Sequence, residues 1–159
     1  MSHMQYSLTE LYSQPPLERL LYISSATYGK DWVSMLHSHS FTELFYVVDG
    51  NGFFCTESKD IPIQKDTLII INPNIRHTEK SSVSYPLTYI VLGVDNLKFE
   101  FEGHEYDTSQ IYDFHKHRES ILPIMQMMLH EIRKKSTGHI WQVFPQLIIF
   151  HSLLKNTPV

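Results

Sequence analysis

Cysteine is almost missing from this chain. Cys55 is the only one in 159 residues, so no internal disulfide can form and the chain suits a reducing compartment. Cys55 itself reads as a small, half-buried strand residue rather than a catalytic thiol. Positive charge is also scarce: thirteen Lys and Arg stand against seventeen Asp and Glu, a formal net charge of -4. That balance excludes a broad electropositive face for a nucleic-acid backbone. No apolar run approaches the length of a membrane span, and no charged-then-apolar leader opens the chain, so a cytoplasmic location without membrane contact is expected. Met1-Ser-His-Met4 reads as a cloning remnant before a native start, which sets His3 aside from any site. What is plentiful is apolar and aromatic surface, 42% and 13% of residues, enough for a globular fold. The length fits one domain, or one domain with an appendage.

Pro15-Pro16 stops any helix in the opening piece, where Ser7 and Glu10 have capping-box spacing. Residues 17–27 read as an amphipathic strand, with Leu20, Tyr22 and Ser24 on one face. After a turn at Gly29-Lys-Asp31, residues 32–39 resume an extended run. Residues 43–48 are apolar on both faces apart from Glu43, as in a strand within a barrel wall. Asp49-Gly50-Asn51-Gly52 is a hairpin signal that predicts residues 52–57 as the partner strand. Residues 61–63 form a short strand whose Pro62 favours an edge, and residues 67–71 have buried-strand composition. Further strands are predicted over residues 85–94 and 97–102. Asp95-Asn-Leu reads as a turn. Short strands at regular spacing indicate an all-β barrel or jelly roll rather than alternating β-α units.

From about residue 115 the period changes. Residues 119–135 place Ile121, Leu122, Met125, Met128, Leu129 and Ile132 at helical steps, ending in Arg133-Lys-Lys135. Residues 140–154 carry a second stripe, Val143, Phe144, Leu147, Ile148, His151 and Leu154. The two are expected to form an antiparallel pair. Their apolar faces, including Met127, exceed what they can cover on each other, so the surplus packs on the barrel or on a second copy of the chain. The division expected is a barrel over 5–115 and a two-helix segment over 116–159.

The chemistry-bearing stretch is His37-Ser-His39-Ser-Phe-Thr-Glu43, answered by Asn72-Pro-Asn-Ile-Arg-His77. In an extended strand a His-x-His pair points both imidazoles to one side. With Glu43 and His77 they make a candidate four-ligand nitrogen and oxygen site for a divalent metal such as zinc, nickel, manganese or iron. The spacing His-x-His-x-x-x-Glu-x6-Gly, ending at Gly50, resembles the first sequence motif of the cupin superfamily, and Pro73-x-x-x-His77 resembles the core of its second.

The order of these motifs, then Leu92-Gly-Val94, then two amphipathic helices, resembles the amino-terminal effector-binding and dimerisation domain of AraC-type bacterial transcription regulators. The resemblance covers nearly the whole chain. It implies a mainly β, cupin-like jelly-roll barrel followed by an antiparallel two-helix C-terminal extension. It implies a small-molecule effector, a sugar or related metabolite, inside the barrel, and a homodimer formed through the helices. It also implies DNA binding by a separate helix-turn-helix domain, for which only Lys155 to Val159 remain here. The sequence departs from the cupin pattern at three places. Lys65 stands where a glycine precedes the aspartate, no glycine lies between Pro73 and His77, and Ser81 stands where an asparagine is expected.

Three roles stay open for His37, His39, Glu43 and His77: gripping ligand hydroxyls, holding a metal, or tying the barrel mouth together. Trp32, Tyr46 and Tyr28 are candidates for stacking on a sugar face, with core packing as the alternative. Arg76 is a candidate clamp for a ligand carboxylate or phosphate, or a solvated loop residue. The second His-x-His, His115 and His117, reads as a solvated turn. A non-enzymatic sensor is favoured, and the alternative is a single-domain metal-dependent cupin enzyme, an isomerase or dioxygenase.

Overall fold

A computed structural model describes residues 18–29, 34–101 and 109–134. Eight strands precede the helix: β1 (Arg19–Thr27), β2 (Thr42–Asp49), β3 (Asn51–Thr56), β4 (Asp60–Gln64), β5 (Thr67–Ile71), β6 (His77–Ser81), β7 (Thr88–Asp95) and β8 (Ser109–Asp113). A 3-10 turn at His115–His117 leads into α1 (Arg118–Arg133). The strands form a five-stranded sheet of order β1-β7-β2-β5-β8 and a three-stranded sheet of order β4-β3-β6. Every pairing is antiparallel, so the described fold is mainly β with one helix.

A strand with apolar residues on both faces needs cover on both. β2 sits at the middle of the larger sheet, and its alternate residues divide between two cores. Leu44 and Tyr46 face outward with Leu68, Ile70, Ile90 and Leu92, against the helix residues Ile121, Leu122, Met125, Met128 and Leu129. Phe45 and Val47 face inward with Ile69, Ile71, Tyr89 and Val91, against Phe54 and Ile63 of the smaller sheet. The stripe of α1 from Ile121 to Leu129 is therefore covered by the sheet, while Ile132 at its end stays 39% exposed and Met127 53%. The predicted second helix and the opening Pro15-Pro16 piece lie outside the described residues.

Three expectations change, and one strand is added. β2 and β3 flank Gly50 but are not a hairpin, because they belong to different sheets. Gly50 turns the corner at φ +86°, where an added Cβ would collide with the Pro86 carbonyl. Leu20 and Tyr22 do not share a face: the register slips between them, so Leu20 joins the helix-side core and Tyr22 the barrel interior. Residues 97–101 alternate in burial as predicted but form no strand. The side chain of Asn72 takes the place of a partner strand, its Nδ2 donating to the Phe99 carbonyl at 2.8 Å and its Oδ1 accepting from the Phe99 amide at 2.9 Å. β8, unforeseen in the sequence, pairs with β5 at the sheet edge. Pro62 does lie in an edge strand, β4.

Candidate functional site

The inward parity of β2 carries Glu43 between the two sheets, 6% exposed among apolar neighbours. His77 opens β6 opposite an isolated bridge to His37, each residue's amide donating to the other's carbonyl at 3.0 and 2.9 Å. Asn74, at φ 68°, donates its amide to the His39 carbonyl at 2.6 Å and so folds the loop before β6 onto the His-x-His segment. The three imidazoles are thereby gathered, with ring centroids 4.6 to 5.6 Å apart. His39 stacks on Phe41 at 4.7 Å.

Backbone contacts orient two of the rings. His37 Nδ1 lies 3.0 Å from the Met35 carbonyl, and His77 Nδ1 lies 2.9 Å from the Ile75 carbonyl. A carbonyl only accepts, so each Nδ1 carries the proton, and a neutral ring then offers a bare Nε2. Glu43 lies 3.2 Å from His39 Nε2 and 3.7 Å from His77 Nε2, neither approach aligned as a hydrogen bond. Tyr22 donates its hydroxyl to Glu43 Oε2 at 2.6 Å. Burial by itself raises the Glu43 carboxyl, but His39, His77 and Tyr22 around it outweigh that and hold it at about 2. His77 is pulled down by burial, yet the Glu43 carboxylate and the Ile75 carbonyl carry it net upward.

A fifth polar residue, absent from the sequence-based set, completes the cluster. Glu79 is 5% exposed, and its Oε2 accepts from the Tyr28 hydroxyl at 3.0 Å. Burial, then the nearby Glu43 charge, raise its carboxyl above the usual range, against the pull of His77. Period two from His77 places Glu79 on the same face, a signal the sequence did contain. Among the described residues, three buried side-chain polar atoms lack a hydrogen-bond partner: His39 Nε2, His77 Nε2 and Glu79 Oε1. All three belong to this cluster. Two overlapping donor sets, His37/His39/His77 and Glu43/His77/Glu79, each bring their ligand atoms within 4.8 Å of one another.

The other sequence candidates fall elsewhere. Tyr46 is a correction: three residues from Glu43 it has the opposite parity, faces α1 and is fully buried there. Arg76 is paired with Glu57 at 2.6 Å on the surface, 57% exposed, outside the cluster. Trp32 lies outside the described residues. Tyr28 packs on Tyr89 at 5.1 Å in the barrel core, 5% exposed, and touches the cluster only through its hydroxyl on Glu79. Cys55 is buried, and burial pushes its thiol up to about 11, as an inert thiol requires.

The model of the AraC-like ligand binding domain matches residues 22–148. The chain belongs to that family. Among curated proteins, the uncharacterized HTH-type transcriptional regulator YfiF of Bacillus subtilis (strain 168) is 33% identical over 57 residues, 36% of this chain and 18% of that protein. Among solved structures, ToxT from Vibrio cholerae with an unsaturated fatty acid bound is similar at TM-score 0.54 and 12% identity, over 86% of this chain and 54% of ToxT. The AraC-like chain thus spans about half the length of ToxT and a smaller part of YfiF. A cupin-2 domain protein from Shewanella frigidimarina is similar at TM-score 0.39 and 16% identity, over 52% of this chain and 84% of that one.

Two further features of this AraC-like domain lie away from the histidines. Asp66, 1% exposed and at φ 65°, accepts from the Tyr46 hydroxyl at 2.9 Å and pairs with His115 Nδ1 at 3.1 Å. Arg118 approaches the same carboxylate at 3.7 Å. The His115-Lys-His117 turn is thus fastened to the β4–β5 corner through His115, although that ring remains 78% exposed. A cleft of about 690 Å³ opens between β3, β4 and β8, lined by Phe53, Pro62, Gln64, Ser82 and Tyr112 among others, and shares no residue with the histidine cluster. No described helix is long and apolar enough to cross a membrane.

Proposed function

We propose that this AraC-like domain is the sensing part of a cytoplasmic, non-enzymatic transcription regulator. A small-molecule effector enters the barrel, and its presence biases how a separate DNA-binding domain is held. The observation that carries this reading is the gathering of unpartnered buried polar atoms of His39 and Glu79 around that of His77, in a chain of this family. Buried polar groups left without partners are costly, so an occupant that satisfies them is strongly favoured. The effector class proposed is a carbohydrate or related metabolite, gripped through its hydroxyls by His37, His39, Glu43 and His77. Homodimerisation through the C-terminal helices would couple two such domains.

A melt screen of the protein against sugars tests the class, with an unsaturated fatty acid alongside because ToxT binds one. A sugar that raises Tm for the wild type but not for His39→Ala supports the reading. A shift with the fatty acid alone moves the effector to an apolar class. Turnover of a sugar or phenol by iron- or manganese-loaded protein would overturn the sensor in favour of a cupin enzyme.

The orientation of His37 and His77 favours a second reading of the same residues, as ligands of zinc, nickel, manganese or iron. Histidines that ligate metals commonly donate the other ring nitrogen to a carbonyl, as these two do. The residues fit such an ion, which would supply a Lewis-acidic contact for an effector oxygen. Elemental analysis, with melts before and after a chelator, distinguishes a metal from an organic occupant.

A further inference from the structure

We propose that Glu79 is a ligand of this centre, so that the site selects a six-coordinate divalent cation of the Mn2+ or Fe2+ type over tetrahedral Zn2+. The assignment rests on the metal reading just given and adds a donor that the sequence motif does not contain.

Three observations support it. Glu79 and His77 are 5% and 1% exposed, and each holds an unpartnered atom, Oε1 and Nε2. Glu43, His77 and Glu79 are all buried and bring one ligand atom apiece within 4.8 Å of each other. Metal–ligand distances of about 2.1 Å put donors on opposite sides of one ion about 4.2 Å apart and adjacent donors closer still, so side-chain shifts on the order of an ångström would close the shell. Donor atoms this close can share a single ion.

The second argument is charge. Two carboxylates share the interior, and among the described residues no lysine or arginine pairs with either. A divalent cation neutralises both at once. The third is ligand type. The two overlapping donor sets share His77 and together offer three nitrogens, from His37, His39 and His77, and two oxygens, from Glu43 and Glu79. Five such donors about one ion would exceed the four of a closed tetrahedral zinc site and leave one position of an octahedron for an effector oxygen.

The test is titration of the chelator-stripped chain with Mn2+, followed by loss of the free-ion electron paramagnetic resonance signal, and competition with Zn2+. The wild type and Glu79→Gln are compared. Gln keeps the size of the side chain and a partner for Tyr28 but removes the charge. The expected result is one Mn2+ per wild-type chain, about tenfold or more weaker binding in Glu79→Gln, and a smaller loss for Zn2+. Equal Mn2+ affinity in both proteins overturns the role of Glu79 while leaving the metal reading intact. No binding of either ion by the wild type overturns both. Should Glu79→Gln fail to fold, the anomalous signal of a Mn2+-soaked wild-type crystal decides the matter: a peak within coordinating distance of Glu79 Oε1 supports the assignment, and one ligated only by the other four residues overturns it.

Discussion

Tyr46 faces the helix with its hydroxyl 2.9 Å from Asp66 Oδ1, a buried bond in which the carboxylate has few other donors. Tyr46→Phe should cost about 1 to 2 kcal/mol in urea unfolding. It should leave metal or effector affinity unchanged, since a sheet separates the two sites, and a lost affinity would return Tyr46 to the pocket. Glu43 gives a pH prediction for the metal-free protein. Its folded pKa, about 2, lies below the ordinary 4.5. The stabilisation from a depressed carboxylate is therefore complete above about pH 4.5 and is lost as pH falls toward 2, on the order of 3 kcal/mol in all. Urea midpoints of wild type and Glu43→Gln should converge as the pH is lowered, and a gap that stays constant would contradict the shift. These residues also show what the sequence made legible. Spacing in extended chain points His37 and His39 the same way, the resemblance to the cupin motifs adds Glu43 and His77, and the structure brings the four side chains together. Tyr46 was misplaced against the same rule, since an odd offset from Glu43 reverses the face. Glu79 is not singled out because His77-Thr-Glu-Lys-Ser81 has the composition of a solvent-facing strand, and only the larger sheet facing β6 buries it, beside Glu43 and Tyr28.

Among the elements, the corner between β2 and β3 is the place where the chain leaves one sheet for the other. Gly50→Ala should destabilise by more than about 1 kcal/mol, through both the positive φ and the collision with Pro86. Gly29→Ala, where an added Cβ meets nothing within 4 Å, should stay within about 0.5 kcal/mol. Equal effects would mean that the corner relaxes freely. In α1, Met125 is fully buried against the sheet, and Met125→Ala should cost about 2 to 5 kcal/mol by thermal or urea melt. Asp-Gly-Asn-Gly predicted a hairpin because those residues permit a tight reversal. Local conformation does not determine which strands lie next to one another, and the two-sided apolar pattern of β2 assigns it instead to β5 and β7. β8 was illegible for a related reason: Ser109-Gln-Ile-Tyr-Asp113 is weakly patterned and becomes a strand by pairing with β5.

At the scale of the whole molecule, a single sheet divides the polar cluster from the helix, and β2 contributes Glu43 to one side and Leu44 to the other. Occupancy of the interior should therefore slow amide exchange in α1 as well as in β2. Protection confined to the barrel would mean that the helix does not sense the site. The Asp66 contacts with Tyr46, His115 and Arg118 give that coupling a second route, from the β4–β5 corner to the start of α1. The bridge between His37 and His77 carries a different meaning at this scale. The 34–37 segment is sewn to the smaller sheet at that bridge by two backbone hydrogen bonds, and Met35 beside it is 70% exposed. Ser34 adds a hydroxyl bond to the Glu79 carbonyl at 2.7 Å. Whatever grips both rings becomes one more stitch, and the segment works as a hasp that the occupant itself locks: a protease should cut near Met35 readily in the empty protein and slowly in the filled one.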